Sequence, residues 1–122
     1  MTRTGRVYTP KETREYETMI REAWLLLNPG LTFTKDVDVL LEFTFKRPKS
    51  HHNSKGMLKP DAPKHHTQTP DLDNIEKAVL DGLNKVAYTD DKQIVMKHST
   101  KRWGNMDVVL VVIRGIVTGL QP

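Results

Sequence analysis

The stretch Thr69-Pro-Asp-Leu-Asp-Asn-Ile-Glu-Lys-Ala-Val-Leu-Asp-Gly-Leu-Asn84 decides how this chain is organised. Its apolar residues recur at three- and four-residue spacing, which predicts an amphipathic helix from about Asp73 to Asn84. The predicted buried side of this helix carries Ile75, Ala78, Val79, Leu83 and, just beyond its end, Val86. The helix follows a Pro-Asp-Leu-Asp run, so acidic side chains lie at its N-terminal end, where the helix dipole favours negative charge.

The residues before this stretch predict one helix and one strand. Thr9 is suited to cap a first helix and Pro10 to occupy its first position, and Asn28-Pro29-Gly30 ends it. Apolar and polar residues then alternate from Val37 to Phe45, which predicts a strand with one strongly apolar face. Pro48 ends that strand.

The residues after the stretch predict two further strands. Ile94, Met96 and His98 alternate with other residues as in a strand. Trp103-Gly104-Asn105 is typical of a hairpin turn, and Val108–Ile113 predicts an apolar strand buried on both faces. The order helix, strand, loop, helix, strand, strand predicts one α+β domain over residues 1–122, with a small mixed β-sheet packed against two main helices.

Composition excludes several classes of protein. With 122 residues, 37% hydrophobic and 28% charged, the chain has the size and balance of one globular domain. The absence of cysteine excludes a disulfide scaffold and a thiolate zinc site. No apolar run is long enough to span a membrane, and residues 1–6 carry no apolar signal region. We therefore expect a cytoplasmic protein.

Three carboxylates are the candidate metal ligands. If the chain is extended around Pro70, then Asp71 and Asp73 project to the same side. Two carboxylates held together favour a cation, and Mg²⁺ prefers oxygen ligands. Lys77 lies four residues after Asp73 on the helix and is suited to neutralise the pair, hold a phosphate or stabilise developing charge. The Asp90-Asp91 pair supplies a candidate third carboxylate.

These acidic residues also have ordinary structural interpretations, which the spacing leaves open. Asp73 with Glu76 matches a helix capping box, and caps are far commoner than metal sites. Asp90-Asp91 matches an ordinary polar turn. A cap and a metal site are compatible at the same helix end.

Residues 48–69, which we call the basic loop, show no periodicity and are expected to be mobile. A run of cations in and just before this loop is suited to DNA phosphates, although a solvated loop is an equal alternative. The candidate DNA-binding residues are Lys46, Arg47, Lys49, Lys55, Lys59 and Lys64. His51-His52 and His65-His66 suggest a zinc or transition-metal site. A functional metal is the weaker interpretation, because adjacent histidines usually diverge, the loop is expected to be mobile and no cysteine assists.

The motif D-L-D-N-x-x-K over Asp71–Lys77, followed by D-D-x-Q over Asp90–Gln93, resembles the signature of the RusA family of Holliday-junction resolvases. The segment Arg3–Lys11 also resembles an early basic stretch of that family. The resemblance covers nearly the whole chain and implies a RusA-like, homodimeric fold in a bacterial or phage protein. It also implies a Mg²⁺-dependent endonuclease that resolves four-way DNA junctions by paired symmetric nicks during recombination and repair.

The resemblance also implies site residues. The family's catalytic residues fall on Asp71, Asp73, Lys77 and Asp91, and its metal ligands on Asp71, Asp73 and Asp91. One departure is that family members usually carry an apolar strand before the Arg3–Lys11 segment, so a shortened N-terminus is expected here. The alternatives are a catalytically impaired DNA-junction-binding protein and a Mg²⁺-dependent phosphatase of small molecules.

Overall fold

The computed structural model describes residues 10–116, and it contains two α-helices and three strands. Helix α1 spans Pro10–Leu27 and helix α2 spans Leu72–Leu83. Strand β1 spans Val37–Lys46, β2 spans Ile94–Gly104 and β3 spans Val108–Gly115. Short 3₁₀ turns occupy Lys49–His51 and Asp91–Gln93. The predicted α+β class and element order are confirmed.

The core lies between one face of the sheet and the two helices. Strand β1 is central, and its alternate residues from Val37 to Phe43 are buried while their neighbours are only partly covered. Ile20 and Trp24 of α1 and three apolar residues of α2 pack against this face, namely Ile75, Val79 and Leu83. The apolar faces of the helices repeat about every 3.6 residues and that of the strand every 2 residues. These faces pack together in one core.

The two helices approach each other closely at Gly82. A Cβ atom at this position would lie 2.8 Å from the backbone oxygen of Glu17, so a larger residue would force the helices apart. The Arg21 guanidinium donates to the backbone oxygen of Asp81 at 3.3 Å at the same crossing. This contact fixes where α2 lies along α1.

The sheet order is β2-β1-β3, with β2 parallel and β3 antiparallel to β1. The predicted hairpin is therefore wrong, because β2 and β3 are not neighbours although three residues join them. The connection passes over the end of β1, where the Lys46 backbone N–H donates to Asp107 Oδ1 at 2.8 Å. The parallel β1-α2-β2 crossover fixes β2 on one side, which leaves β3 the opposite edge.

The predicted burial of the last strand is also corrected, and the faces of β2 follow from its pairing with β1. Strand β3 is not buried on both faces, because Val108, Leu110 and Val112 alternate as exposed residues along its length. In β2, the register skips Val95 between the Val37–Ile94 and Asp38–Met96 pairs, so Met96 falls on the outer face of the sheet. His98 is exposed on that same face. Helices cover only one side of this sheet, and nothing in the described chain covers the other.

Several predictions concern residues outside the described range. The Thr9 cap, most of the Arg3–Lys11 resemblance and the expected loss of a first strand all fall there. Within residues 10–116, no helix is both long and apolar enough to cross a membrane.

Candidate nuclease site

Asp71 is the N-cap residue of α2, but its side chain makes no capping hydrogen bond. The residue is exposed, and its backbone oxygen accepts the first helical bond from the Ile75 N–H at 3.1 Å. The carboxylate is therefore held at a helix N-terminus without being used by the helix. An oxygen ligand in a fixed place and open to solvent is what a metal ion needs.

Lys101 of β2 fixes the segment that leads into Asp71. Its ammonium donates to the backbone oxygens of Gln68 at 2.8 Å and Pro70 at 3.0 Å. Burial lowers the pKa of Lys101, and the negative charge of nearby Asp71 opposes that shift. Lys101 therefore ties the chain before α2 to the sheet and places a positive charge beside the Asp71 carboxylate.

Asp73 lies inside α2 rather than in an extended segment. The helix begins at Leu72, one residue earlier than predicted, so the expected projection of Asp71 and Asp73 to one side by strand geometry does not apply. Asp73 is exposed, and its Oδ1 accepts only the adjacent Asn74 N–H at 3.0 Å.

The alternative capping box between Asp73 and Glu76 is absent. Glu76 instead turns towards β2, where it forms an ion pair with Lys97 at 2.7 Å and accepts a hydrogen bond from Ser99. Because Glu76 is used in this way, it does not compete for the Asp73 end of the helix. Both aspartates at the start of α2 keep carboxylate oxygens available.

Lys77 points away from Asp73. Its ammonium forms an exposed ion pair with Asp81 at 2.8 Å, one helical turn further along. The hydrogen bond from Lys77 to Asp81 raises the pKa of the lysine, and the charges of Glu17 and Asp91 act in the same direction. The prediction that Lys77 neutralises the aspartate pair is therefore not realised within this chain. Its pairing with Asp81 leaves the prediction that Lys77 holds a phosphate untested.

The two residues of the Asp90-Asp91 pair have different structural roles. Asp90 caps the 3₁₀ turn through a full capping box, since Lys92 N–H donates to it at 2.9 Å and its own N–H donates to Gln93 at 2.7 Å. The Lys92 N–H lowers the pKa of Asp90. Asp91 is exposed and forms no ion pair within the described residues. The turn thus uses Asp90 and presents Asp91.

The structure places the candidate carboxylates at the two ends of one helix. Asp91 lines a shallow cavity of about 290 Å³ together with Leu80 and residues 94–97. Leu80 follows Asp71 by nine residues, which corresponds to about 13 Å along the helix axis. Within residues 13–116, no three histidine or acidic side chains are arranged to hold one metal ion. The donors are chemically suited to Mg²⁺, and Asp71 with Asp73 supplies the one or two carboxylates that it commonly takes.

The cationic side chains predicted to bind DNA differ in their exposure and in their contacts. The five lysines, Lys46, Lys49, Lys55, Lys59 and Lys64, are exposed and form no ion pair in the described part of the chain. Arg47 is partly covered, because its guanidinium donates to the Pro63 oxygen at 2.8 Å and faces the Trp103 ring at 5.8 Å. The lysines are available to a polyanion, whereas Arg47 also ties the two ends of the basic loop together.

Two of the four histidines of the basic loop, His51 and His66, have packing roles. His51 and His66 are buried against Trp103, with ring centroids 4.8 and 4.2 Å from the indole. Burial is the main cause that lowers the pKa of each imidazole. No transition-metal cluster is formed in the described range. These contacts give the loop fixed points, and its mobility stays a prediction.

A comparison with protein-family models then decides the family. The model of endodeoxyribonuclease RusA matches residues 1–114. The chain belongs to the RusA endodeoxyribonuclease family. RusA nucleases act on junction DNA and depend on divalent metal ions, and the α+β arrangement described above is consistent with the RusA fold.

A search of curated proteins finds a relative in Bacillus subtilis (strain 168). It is described as the uncharacterized protein YqaN and is 29% identical over 124 residues, covering 93% of this chain and 83% of the relative. The likeness extends over most of both proteins. The comparison therefore adds a similar protein without adding an activity.

Sequence reasoning missed three residues that hold the segments around this candidate site, namely Glu76, Lys97 and Lys101. The last two lie on the inner face of β2, where a lysine is unexpected, and their alternation with Ser99 was the available signal. Each reaches α2 or the segment before it. The sequence hides this role because the pairing of β2 with β1 decides which β2 residues face the helix.

Proposed function

We propose that this RusA-family chain is a Mg²⁺-dependent, structure-selective endonuclease that resolves four-way DNA junctions by paired symmetric nicks in recombination and repair. The observation that carries the proposal is the pair Asp71 and Asp73 at the start of α2, exposed and free of ion pairs in the described chain. Family membership supplies the reaction class. Its DNA substrate and its cysteine-free sequence suit the cytoplasm.

In this proposal, Asp71 and Asp73 hold one Mg²⁺ ion, and Asp91, which lies near the opposite end of α2 in this chain, is a ligand of a second. Mg²⁺ bound there would supply activation of water and stabilisation of the leaving oxygen. The chain's own part is to place the ligands: Lys101 fixes the segment before Asp71, and the capped turn of Asp90 fixes Asp91. The α2 N-terminus also favours a phosphate at the same end.

Lys77 is proposed to stabilise the negative charge that develops on the scissile phosphate. Its partner Asp81 lies one turn away on the exposed surface, and such pairs are weak because solvent screens them. The scissile phosphate, whose negative charge increases in the transition state, can therefore draw the ammonium away from Asp81. The five exposed lysines of Lys46–Lys64 would hold the DNA arms.

A homodimer is part of the proposal, because one two-fold axis relates two active sites to two symmetric strands. The outer face of the sheet supports it, since Met96 and Leu110 are about half exposed there, at 57% and 48%. Val108 and Val112 extend this apolar surface on β3, which is an edge strand. Exposed apolar surface of this kind is typical of an interface.

The test of the dimer is sedimentation of wild type and Leu110→Lys across a range of concentrations. We expect the variant to sediment as a monomer at concentrations where wild type is dimeric. Thr18→Val on the exposed surface of α1 is the control. A Leu110→Lys protein that dimerises as wild type does would exclude this face.

The test of the activity is cleavage of a labelled four-way junction with and without Mg²⁺. We expect Mg²⁺-dependent nicks at symmetric positions in two strands, and much less cleavage of linear duplex. Binding of the junction without cleavage at any Mg²⁺ concentration would support the alternative of a catalytically impaired DNA-binding protein. Hydrolysis of a small phosphomonoester but not of the junction would overturn the proposal.

A further inference from the structure

A cavity of about 490 Å³ lies beside the start of α2 and has no role in the mechanism above. It is bounded by the first half of α1, by the ends of β1 and β3, and by the last residues of the basic loop. Phe43, Ile75 and Val109 form its apolar floor. Its volume falls in the range of roughly 300–1,000 Å³ that is typical of small-molecule sites.

One wall of this cavity is a continuous set of rings. The Phe45 and His66 centroids are 4.4 Å apart, and those of His66 and Trp103 are 4.2 Å apart. All three residues line the cavity. Aromatic walls of this kind stack planar heterocycles.

Two polar atoms in the wall lack hydrogen-bond partners. His66 Nδ1 and Thr69 Oγ1 are both buried and unpaired within the described structure, and the His66 side chain is only 6% exposed. Burial, followed by the charge of Lys101, lowers the pKa of His66 against a backbone hydrogen bond that raises it, which favours the neutral ring with one donor and one acceptor. Buried polar groups without partners are costly, and their presence in a cavity wall calls for a ligand with complementary groups.

The position of the cavity indicates which ligand it binds. Thr69 and Pro70 line it, and Asp71 is the next residue along the chain. Lys46, also in the wall, is one of the exposed cations. A ligand in this cavity therefore lies directly beside the carboxylate that is proposed to hold the metal at the scissile phosphate.

We propose that the cavity takes one unstacked nucleobase next to the scissile phosphate, and that Thr69 and His66 determine which base is accepted. The proposal rests on the proposed function, because it takes the ligand from the junction substrate. A base has a flat ring for the aromatic wall and a polar edge for the two unpaired atoms. Bases at a branch point are already less stacked, which lowers the cost of moving one out.

The first test is base selectivity. Wild type, Thr69→Val and His66→Phe are assayed on junctions that carry each of the four bases at each position flanking the nick. Thr69→Val keeps the shape and removes only the unpaired hydroxyl, so its melting temperature should stay the same or rise. We expect its ratio of best to worst base to fall by about tenfold, as for the loss of one hydrogen bond to a base edge. Thr18→Val should keep the wild-type ratio.

The second test does not depend on cleavage. Junctions with 2-aminopurine at single positions around the branch are mixed with wild-type protein in EDTA, and binding is followed separately by a gel shift. We expect a changed fluorescence at one position next to the nick, and a smaller change with His66→Phe. His66→Phe keeps an aromatic ring between Phe45 and Trp103. The fluorescence of wild type and His66→Phe can therefore still be compared if Thr69→Val fails to fold.

The outcomes separate the two proposals. A junction that is bound and cleaved with unchanged selectivity in both variants, and with no 2-aminopurine signal, overturns the base site and leaves the nuclease intact. In that case another occupant, such as a segment of this chain, takes the cavity. A position-specific 2-aminopurine signal without any cleavage supports the base site and overturns the nuclease. A protein that does not bind the junction overturns both.

Discussion

The two ends of α2 carry similar residues in different states. At the N-terminal end, Lys101 is bound by backbone oxygens, so the neighbouring Asp71 carboxylate is left without an ion pair in the described chain. At the C-terminal end, Lys77 is bound by Asp81, and Asp91 is presented by a capped turn. The first end is built into the fold through β2, whereas the second is an exposed surface pair. A shared composition of acids and lysines therefore does not imply a shared role.

The largest expected effect is at the N-terminal end. Asp71→Asn and Asp73→Asn should each reduce junction cleavage on the order of 10³-fold or more, as for loss of a principal electrostatic element of a site. Junction binding should stay close to wild type, because affinity comes mainly from basic contacts. Asp61→Asn in the basic loop is the matched control. Undiminished Mg²⁺-dependent cleavage by either variant would remove that residue from the site.

The second comparison is within the Asp90-Asp91 pair. Asp91→Asn should be inactive in single-turnover cleavage across Mg²⁺ concentrations. Asp90→Asn should lose less activity, because asparagine caps a turn about as well as aspartate and the backbone geometry is retained. If Asp90→Asn is the inactive variant and Asp91→Asn cleaves normally, the metal ligand is Asp90. The assignment of Asp91 to the site is then wrong by one residue.

The lysines give the most direct test of the difference between the ends. Lys77→Met should lower the cleavage rate by about 10–100-fold with little change in melting temperature, because Lys77 is exposed. Lys101→Met should lower both the rate and the melting temperature, since the Gln68 and Pro70 oxygens lose their donor. Partial rescue of the rate by Lys101→Arg would support a positioning role. Equal losses of melting temperature in Lys77→Met and Lys101→Met would contradict the view that Lys101 is built into the fold and Lys77 is a surface residue.

A smaller effect is expected in the basic loop. Replacing Lys55, Lys59 and Lys64 together with alanine should weaken junction binding and flatten the dependence of log K on log salt by about 0.9 for each lost phosphate contact. Amide hydrogen exchange without DNA should be fast in the exposed part of the loop and slow near His51 and His66, if the loop is mobile only between its fixed points. An unchanged salt slope would mean that the loop is only a solvated connection.

The smallest effect concerns pH. The folded-state pKa of His66 is lowered by burial, so the unfolded chain binds a proton there more readily. Stability is therefore complete above the unfolded pKa near 6.5 and falls as the pH drops below it. Melting temperatures between pH 7.5 and 5 should fall less steeply for His66→Phe than for wild type. A steeper fall in the variant would mean that His66 is charged in the folded protein.

Local patterns predicted much of this protein. The apolar spacing of residues 75–83 was sufficient to predict α2, because helix periodicity and burial of one face are properties of a single segment. The same holds for the alternation of β1 and for the order of elements. The motifs over Asp71–Lys77 and Asp90–Gln93, with the segment Arg3–Lys11, were sufficient to predict the family, which the match over residues 1–114 confirms.

Only the tertiary structure determined which strands pair and which side chains contact each other. The placement of β1 between β2 and β3 depends on strand pairings between residues more than 50 positions apart, which no local pattern reports. That pairing sets which side chains of β2 face α2, and so brings Lys101 to Pro70 and Glu76 to Lys97. It also closes the cavity between Trp103, His66 and Thr69. Sequence by itself determined the elements and the acidic motif, because these depend on near neighbours. The partners of those acids and the cavity next to them depend on register and packing between distant segments, which form only when the chain folds.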